Sequence, residues 1–158
     1  MSNLHIETRK NARKNAIILE SKEHNFWITK NQWNRIKRRE TIQKMEFTLA
    51  PEDILQLWIQ QEGRCAVTGL PLKCDTVPKT TWSVDRTNNE LLYSKNNTQL
   101  VHKAYNITKG IRSDEDMKLM AVLIYQNMDY TQVRKLSNLT NEQIEEKLKS
   151  CRNVRLVK

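Results

Sequence analysis

The stretch from Ser83 to Gly110, SVDRTNNELLYSKNNTQLVHKAYNITKG, constrains the fold of this chain more than any other segment. SVDR has the pattern of a short strand ending in a carboxylate, NNE of a polar turn, LLY of a second short strand and SKNN of a loop. From Thr98 the pattern turns helical and stops at Gly110, a residue suited to the left-handed position after a helix. Leu100, Ala104, Ile107 and Ile111 recur at helical spacing and predict an apolar stripe. Gln99, His102, Asn106 and Lys109 recur at three- and four-residue steps and predict a polar face on the same helix.

Helices are expected on both sides of this unit. Helical character runs roughly from Glu7 to Lys22 and again from Lys30 to Lys44. Pro51 opens PEDILQLWIQQEG, a short amphipathic helix with acids in its first turn and Gly63 at its end. RCAVTGLPL predicts a hairpin or knuckle, and KCDTVPKTT a loop. Ser113 is a natural cap for SDEDMKLMAVLIYQNM, whose three leading acids complement the helix dipole. In TQVRKLSNLTNEQIEEKLK, Val133, Leu136, Leu139, Ile144 and Leu148 are spaced as in a helix-turn-helix. Its turn falls at Ser137–Leu139 with Thr140 as cap, although Glu142, Glu145 and Glu146 make an awkward face to offer to phosphates, and an ordinary helical pair fits equally well.

The 83–110 segment resembles the HNH, or ββα-metal (His-Me finger), endonuclease superfamily, in the phage-type variant with Asp-Arg in place of Asp-His. Cys65-Ala-Val-Thr68 occupies the first cysteine knuckle of that pattern, and Asn97 takes the central Asn. His102 and Tyr105 fall where a second cysteine pair would stand, and Asn106 follows as the metal ligand. Tyr93 and the Asn106-x-x-Lys109 ending also fit the phage-type variant. The resemblance covers roughly Pro51 to Met128 and implies an α+β protein: a small ββα-metal core surrounded by helices, with a basic helical N-terminal extension. The expected division is an extension over 1–49, a nuclease core over 50–128 and a C-terminal helical segment over 129–158.

The chemistry that the resemblance implies is divalent-metal-dependent hydrolysis of DNA phosphodiesters, as in endonucleases of phages and mobile elements. Asp85 and Asn106 are the expected ligands, two hard oxygen donors that suit Mg²⁺ or Mn²⁺ with waters and phosphate completing the shell. Asp85, Arg86, Asn97 and Asn106 form the expected catalytic set. Taken singly, Asp85 is ordinary turn chemistry and Asn106 an ordinary helix residue; their joint placement with Asn97 and the Gly110 stop favours a site. Two departures from the pattern stand out. Thr68 and Tyr105 cannot replace thiolates, so Cys65 and His102 remain as a residual knuckle and no structural zinc is expected. Arg86 stands where the usual general-base His would be, and arginine stays protonated. Arg86 is instead expected to grip the scissile phosphate. Activation of water then falls to a metal-bound hydroxide, to His102, to a water positioned by Asn88, or to no group at all.

Charge supports a polyanionic partner. The 158 residues carry a net charge of +9, and only 38% are hydrophobic, so a modest core with a wet basic surface is expected. Residues 1–45 hold eleven Lys and Arg against four Glu, leaving +7. Arg35, Lys37, Arg38 and Arg39 are the densest run, interleaved with Phe26, Trp27 and Trp33, and are expected with Arg86 and Lys109 to contact DNA phosphates. No apolar run is long enough for a membrane span, no signal-peptide core is apparent, and three cysteines without a framework favour a reducing, cytoplasmic setting, that of the host cell if the gene is phage-borne. Two alternatives stay open: a non-catalytic DNA-binding protein on a decayed HNH scaffold, and a structure-selective or RNA-acting nuclease.

Overall fold

A computed structural model describes residues 16–41, 48–74 and 81–150. The order along the chain is β1 (Ile17–Ser21), β2 (Phe26–Thr29), α1 (Lys30–Thr41), α2 (Pro51–Gln60), β3 (Trp82–Arg86), a 3-10 turn (Lys95–Asn97), β4 (Thr98–His102), α3 (Lys103–Lys109), α4 (Asp114–Gln126), α5 (Tyr130–Ser137) and α6 (Asn141–Ser150). The fold is α+β, with two antiparallel two-stranded sheets among the described residues, β1–β2 and β3–β4. The chain divides into two compact units, one ending at Lys103 and the other beginning at Ala104. The boundary expected at 49/50 falls inside the first unit, so residues 16–41 are part of its body.

The first unit is organised around Phe26. Its ring lies 4.9 Å from that of Trp58 on α2 and 5.6 Å from that of Trp82 on β3, both tilted. Ile28, Ile54, Val84, Leu100 and Val101 complete the buried core. Pro51, Glu52 and Asp53 start α2 as expected, and the Asp53 carboxylate accepts from the Ala50 N–H at 2.8 Å. After α2 the chain turns through Glu62 (φ 53°) and Gly63 (φ 64°); a Cβ at Gly63 would lie only 3.2 Å from the Trp58 ring, so glycine serves both backbone and packing there.

Three expectations are corrected. Residues 16–22 were expected in a helix from Glu7 to Lys22, but they form β1 and the start of its turn; residues 7–15 lie outside those described. β1 opens on two β-branched isoleucines and pairs, with an irregularity between Ile17 and Leu19, across a turn with Phe26-Trp27-Ile28-Thr29, all strand formers; Asn25 takes the positive φ that the turn needs. The helix over 30–44 is α1 as far as Thr41, with the remainder outside the described residues.

The second correction concerns LLY, which forms no strand. The partner of β3 is Thr98–His102, expected to be helical, and the register pairs Asp85 with Gln99 and Trp82 with His102. Tertiary pairing decides this: the side-chain amide of Gln61 donates to the Leu100 carbonyl at 2.7 Å and accepts from its N–H at 2.9 Å, completing the outer edge of β4. As the third correction, the helical stripe and polar face beginning at Leu100 and Gln99 dissolve. Leu100 is fully buried on a strand, whereas Ile107 and Ile111 are 74% and 93% exposed.

In the second unit, Gly110 adopts φ 58° after α3, as expected, and its N–H donates to the Asn106 carbonyl. Ser113 caps α4, its Oγ accepting from the Asp116 N–H at 3.0 Å. Helices α5 and α6 flank a turn at the expected place, and Thr140 exchanges capping bonds with Gln143.

Candidate active site

Asp85 sits near the end of β3 and is 4% exposed. Directly opposite residues of an antiparallel pair share a face, so the register that opposes Gln99 to Asp85 also brings their side chains together. Gln99 Nε2 donates to Asp85 Oδ2 at 3.0 Å. A buried carboxylate is costly unless it is hydrogen-bonded, and the Gln99 amide supplies such a bond. Gln99 was expected on the polar face of a helix; its strand position makes it the orienting neighbour of Asp85. Strand alternation would have identified it, had Thr98–His102 been recognised as a strand.

The loop between β3 and β4 is fastened from inside by Asn97, which is 5% exposed. Its side-chain oxygen accepts from Thr87 Oγ1 at 2.7 Å and from the Asn88 N–H at 2.8 Å. Its amide nitrogen donates to the carbonyls of Asn88 at 2.9 Å and Leu92 at 2.8 Å. These four bonds use the full capacity of an amide, two donors and two acceptors. The same bonds explain why Leu91–Tyr93 is not a strand: the Leu92 carbonyl is committed to a side chain rather than to a ladder.

Arg86 leaves β3 on the face opposite to Asp85, because consecutive strand residues alternate. Its guanidinium carbon lies 5.2 Å from the centroid of the Tyr93 ring, and Nη1 donates to the Leu91 carbonyl at 3.2 Å. Just before Asn97, Lys95 Nζ meets Asp53 Oδ1 at 2.9 Å and ties the 3-10 turn to the start of α2. Burial works to raise the Asp53 carboxyl, but the Ala50 N–H and the Lys95 ammonium outweigh it and hold it below the usual carboxylate range.

Asn106 belongs to the second unit, on α3, where it is half-buried. Lys109 departs from expectation. Predicted to contact phosphate, it has no exposed surface, and its Nζ lies 2.8 Å from Asp114 Oδ1. Tyr105 OH donates to the same oxygen at 2.7 Å. The turn at Gly110 folds Asp114 back on the helix end, and the ammonium is used up inside the protein.

The remaining predicted residues separate by role. His102 ends β4 rather than lying on a helix, and is 4% exposed. Cys65 Sγ accepts from the Thr68 N–H at 3.5 Å, while its backbone closes the knuckle through Leu70 and Gly69. Cys74 accepts from the Trp27 N–H at 3.1 Å and donates to the Trp27 carbonyl at 3.0 Å. Among the described residues, no three His, Cys, Asp or Glu side chains gather as metal donors. On α1, Arg35, Lys37 and Arg38 are exposed while Gln32 and Ile36 are buried, and Lys37 Nζ lies 6.0 Å from the Trp33 ring. The Arg39 side chain lies outside the described residues.

No helix among the described residues is long and apolar enough to cross a membrane. Comparisons with protein-family models, with curated proteins and with solved structures find no match to this chain.

Proposed function

We propose that this chain is a divalent-metal-dependent DNA endonuclease whose reaction centre is built on Asp85. The observation that carries the reading is a carboxylate buried near a strand end, oriented by the Gln99 amide, beside a loop that Asn97 fastens. Asp85 would supply an oxygen ligand to the ion, and the family resemblance implies Asn106 as a further oxygen donor. One carboxylate and one amide suit Mg²⁺ or Mn²⁺, which keep waters and take substrate oxygens, and do not suit a closed zinc site. When bound, the ion would neutralise the scissile phosphate and stabilise the leaving oxygen.

The protein's own groups divide the remaining work. Gln99 fixes the rotamer of Asp85. Arg86 offers a permanently charged planar fork to a phosphate and cannot act as the base. Hydrolysis joins a water oxygen to phosphorus and breaks the bond to the leaving oxygen, so the proton of that water passes to a group other than Arg86. Arg35, Lys37 and Arg38 on the outer side of α1 neutralise backbone phosphates at a distance from the cut. Asn97, with its amide saturated, acts by positioning the loop that presents Arg86. The net charge of +9 fits a nucleic-acid partner.

A Mn²⁺ titration tests the centre. Wild type binds one ion, and Asp85→Asn and Asn106→Ala each weaken that binding. Changing Arg35, Lys37 and Arg38 together to Gln flattens the salt dependence of DNA binding by roughly one unit per lost phosphate contact. One observation favours a second reading, a DNA-binding protein without catalysis: an arginine, held by its own loop, stands at the position expected for a base. DNA binding without any Mn²⁺ binding would support that reading.

A further inference from the structure

We propose that Tyr93 is a positioning residue for Arg86, a platform that holds the guanidinium as a preformed phosphate clamp. The inference rests on the DNA-acting reading above, but not on catalysis. Tyr93 is only 6% exposed, so its ring is held by packing, and its backbone carbonyl accepts from Thr48 Oγ1 at 3.3 Å. Arg86 approaches that ring at 5.2 Å, within the range of cation–π attraction, and the Leu91 carbonyl fixes its rotation at 3.2 Å.

The geometry suits a clamp for three reasons. The ring attracts the guanidinium through its charge, whereas phosphate recognition uses its N–H groups, so the two uses are compatible. Arginine carries a large rotamer entropy, and a side chain already held by a ring and a carbonyl loses less of it on binding an anion. Strand alternation places Arg86 on the face of β3 opposite to Asp85. Tyr93 keeps the cation on its own face of the strand pair. Both holders, Leu91 and Tyr93, belong to the loop that Asn97 fastens, so the clamp depends on the architecture of the loop and not on Arg86 alone.

The test is a double-mutant cycle read by DNA binding as a function of salt in the absence of divalent ions. Arg86→Ala lowers the slope of log Kd against log salt by about one unit, the value of one phosphate contact. Tyr93→Leu is expected to lower it by nearly as much, Tyr93→Phe to leave it at the wild-type value, and the double variant to add nothing to Arg86→Ala. Nuclear magnetic resonance gives a reading on wild type that does not depend on the folding of Tyr93→Leu. The Arg86 side-chain Nε–H signal, assigned by its loss in Arg86→Lys, should show the upfield ring-current shift of a proton over an aromatic face. An unshifted signal, a Tyr93→Leu slope equal to wild type, or additive losses in the double variant overturns the proposal. Failure of metal-dependent cleavage with the cycle intact would remove the nuclease reading and leave the clamp standing.

Discussion

Asn97→Ala is the sharpest structural perturbation available, because it removes one side chain and four hydrogen bonds together. A typical intramolecular hydrogen bond contributes about 0.5–1.5 kcal/mol net, so four span about 2–6 kcal/mol. Thr87 and Asn88 are exposed and can recover water, which places the expected loss in the lower half of that range, about 2–4 kcal/mol. Asn97→Asp should lose at least as much above neutral pH: it keeps both acceptor bonds but turns a carboxylate oxygen toward the carbonyls of Asn88 and Leu92. All four tryptophans, at positions 27, 33, 58 and 82, lie in the first unit, so urea unfolding followed by their fluorescence reads the right body. Hydrogen exchange at the Asn88 amide reads the loop itself. A loss below 0.5 kcal/mol, with unchanged protection at Asn88, would refute the staple role of Asn97.

Other residues carry separate expectations. Lys109→Met removes the cation from the partly exposed Asp114, which keeps the Tyr105 hydroxyl, and should destabilise by about 1.5–3 kcal/mol, whereas Lys109→Met combined with Asp114→Leu should recover part of that loss in thermal melts of helicity. Asp53 has a lowered folded-state pKa, so its contribution is present above the ordinary carboxylate range near about pH 4 and is lost as pH falls through the folded value. The stability difference between wild type and Asp53→Asn should therefore shrink on acidification from pH 6 to pH 3 in a urea series, as the folded-state carboxylate takes up its proton. Thr98 Oγ1 is buried without a hydrogen-bond partner among the described residues, so Thr98→Val should be neutral or stabilising by about 1 kcal/mol; a loss above 1 kcal/mol would point to a hidden partner.

Sequence pattern and structure agree where the signals are local. Pro51 with its acids, Ser113 with Asp116, Gly110, and the turn before Thr140 each mark an element end through chemistry contained within a few residues. They diverge where a distant partner decides. Thr98–His102 is a five-residue mixed segment whose spacing fits helix and strand alike, and only Gln61, Ala66 and β3 make it a strand. That single change moves Gln99 beside Asp85, removes His102 from the helix and shortens the helix to Lys103–Lys109. Lys109 was misread for a related reason: its burial depends on Asp114, brought back by the turn after Gly110. Asp85 and Asn97 were legible because carboxylate, turn and amide stand in one contiguous stretch, yet the saturation of the Asn97 amide is visible only in three dimensions.

The most direct test is cleavage of supercoiled plasmid DNA by the purified chain in Mg²⁺ and in Mn²⁺. The expected result is conversion to nicked or linear product, its loss on chelation, and its loss in Asp85→Ala with DNA binding retained. Arg86→Ala should retain cleavage but weaken it through the loss of one phosphate contact. Tight DNA binding without metal-dependent cleavage of duplex, branched or single-stranded substrates would contradict the account and leave a DNA-binding protein on this scaffold.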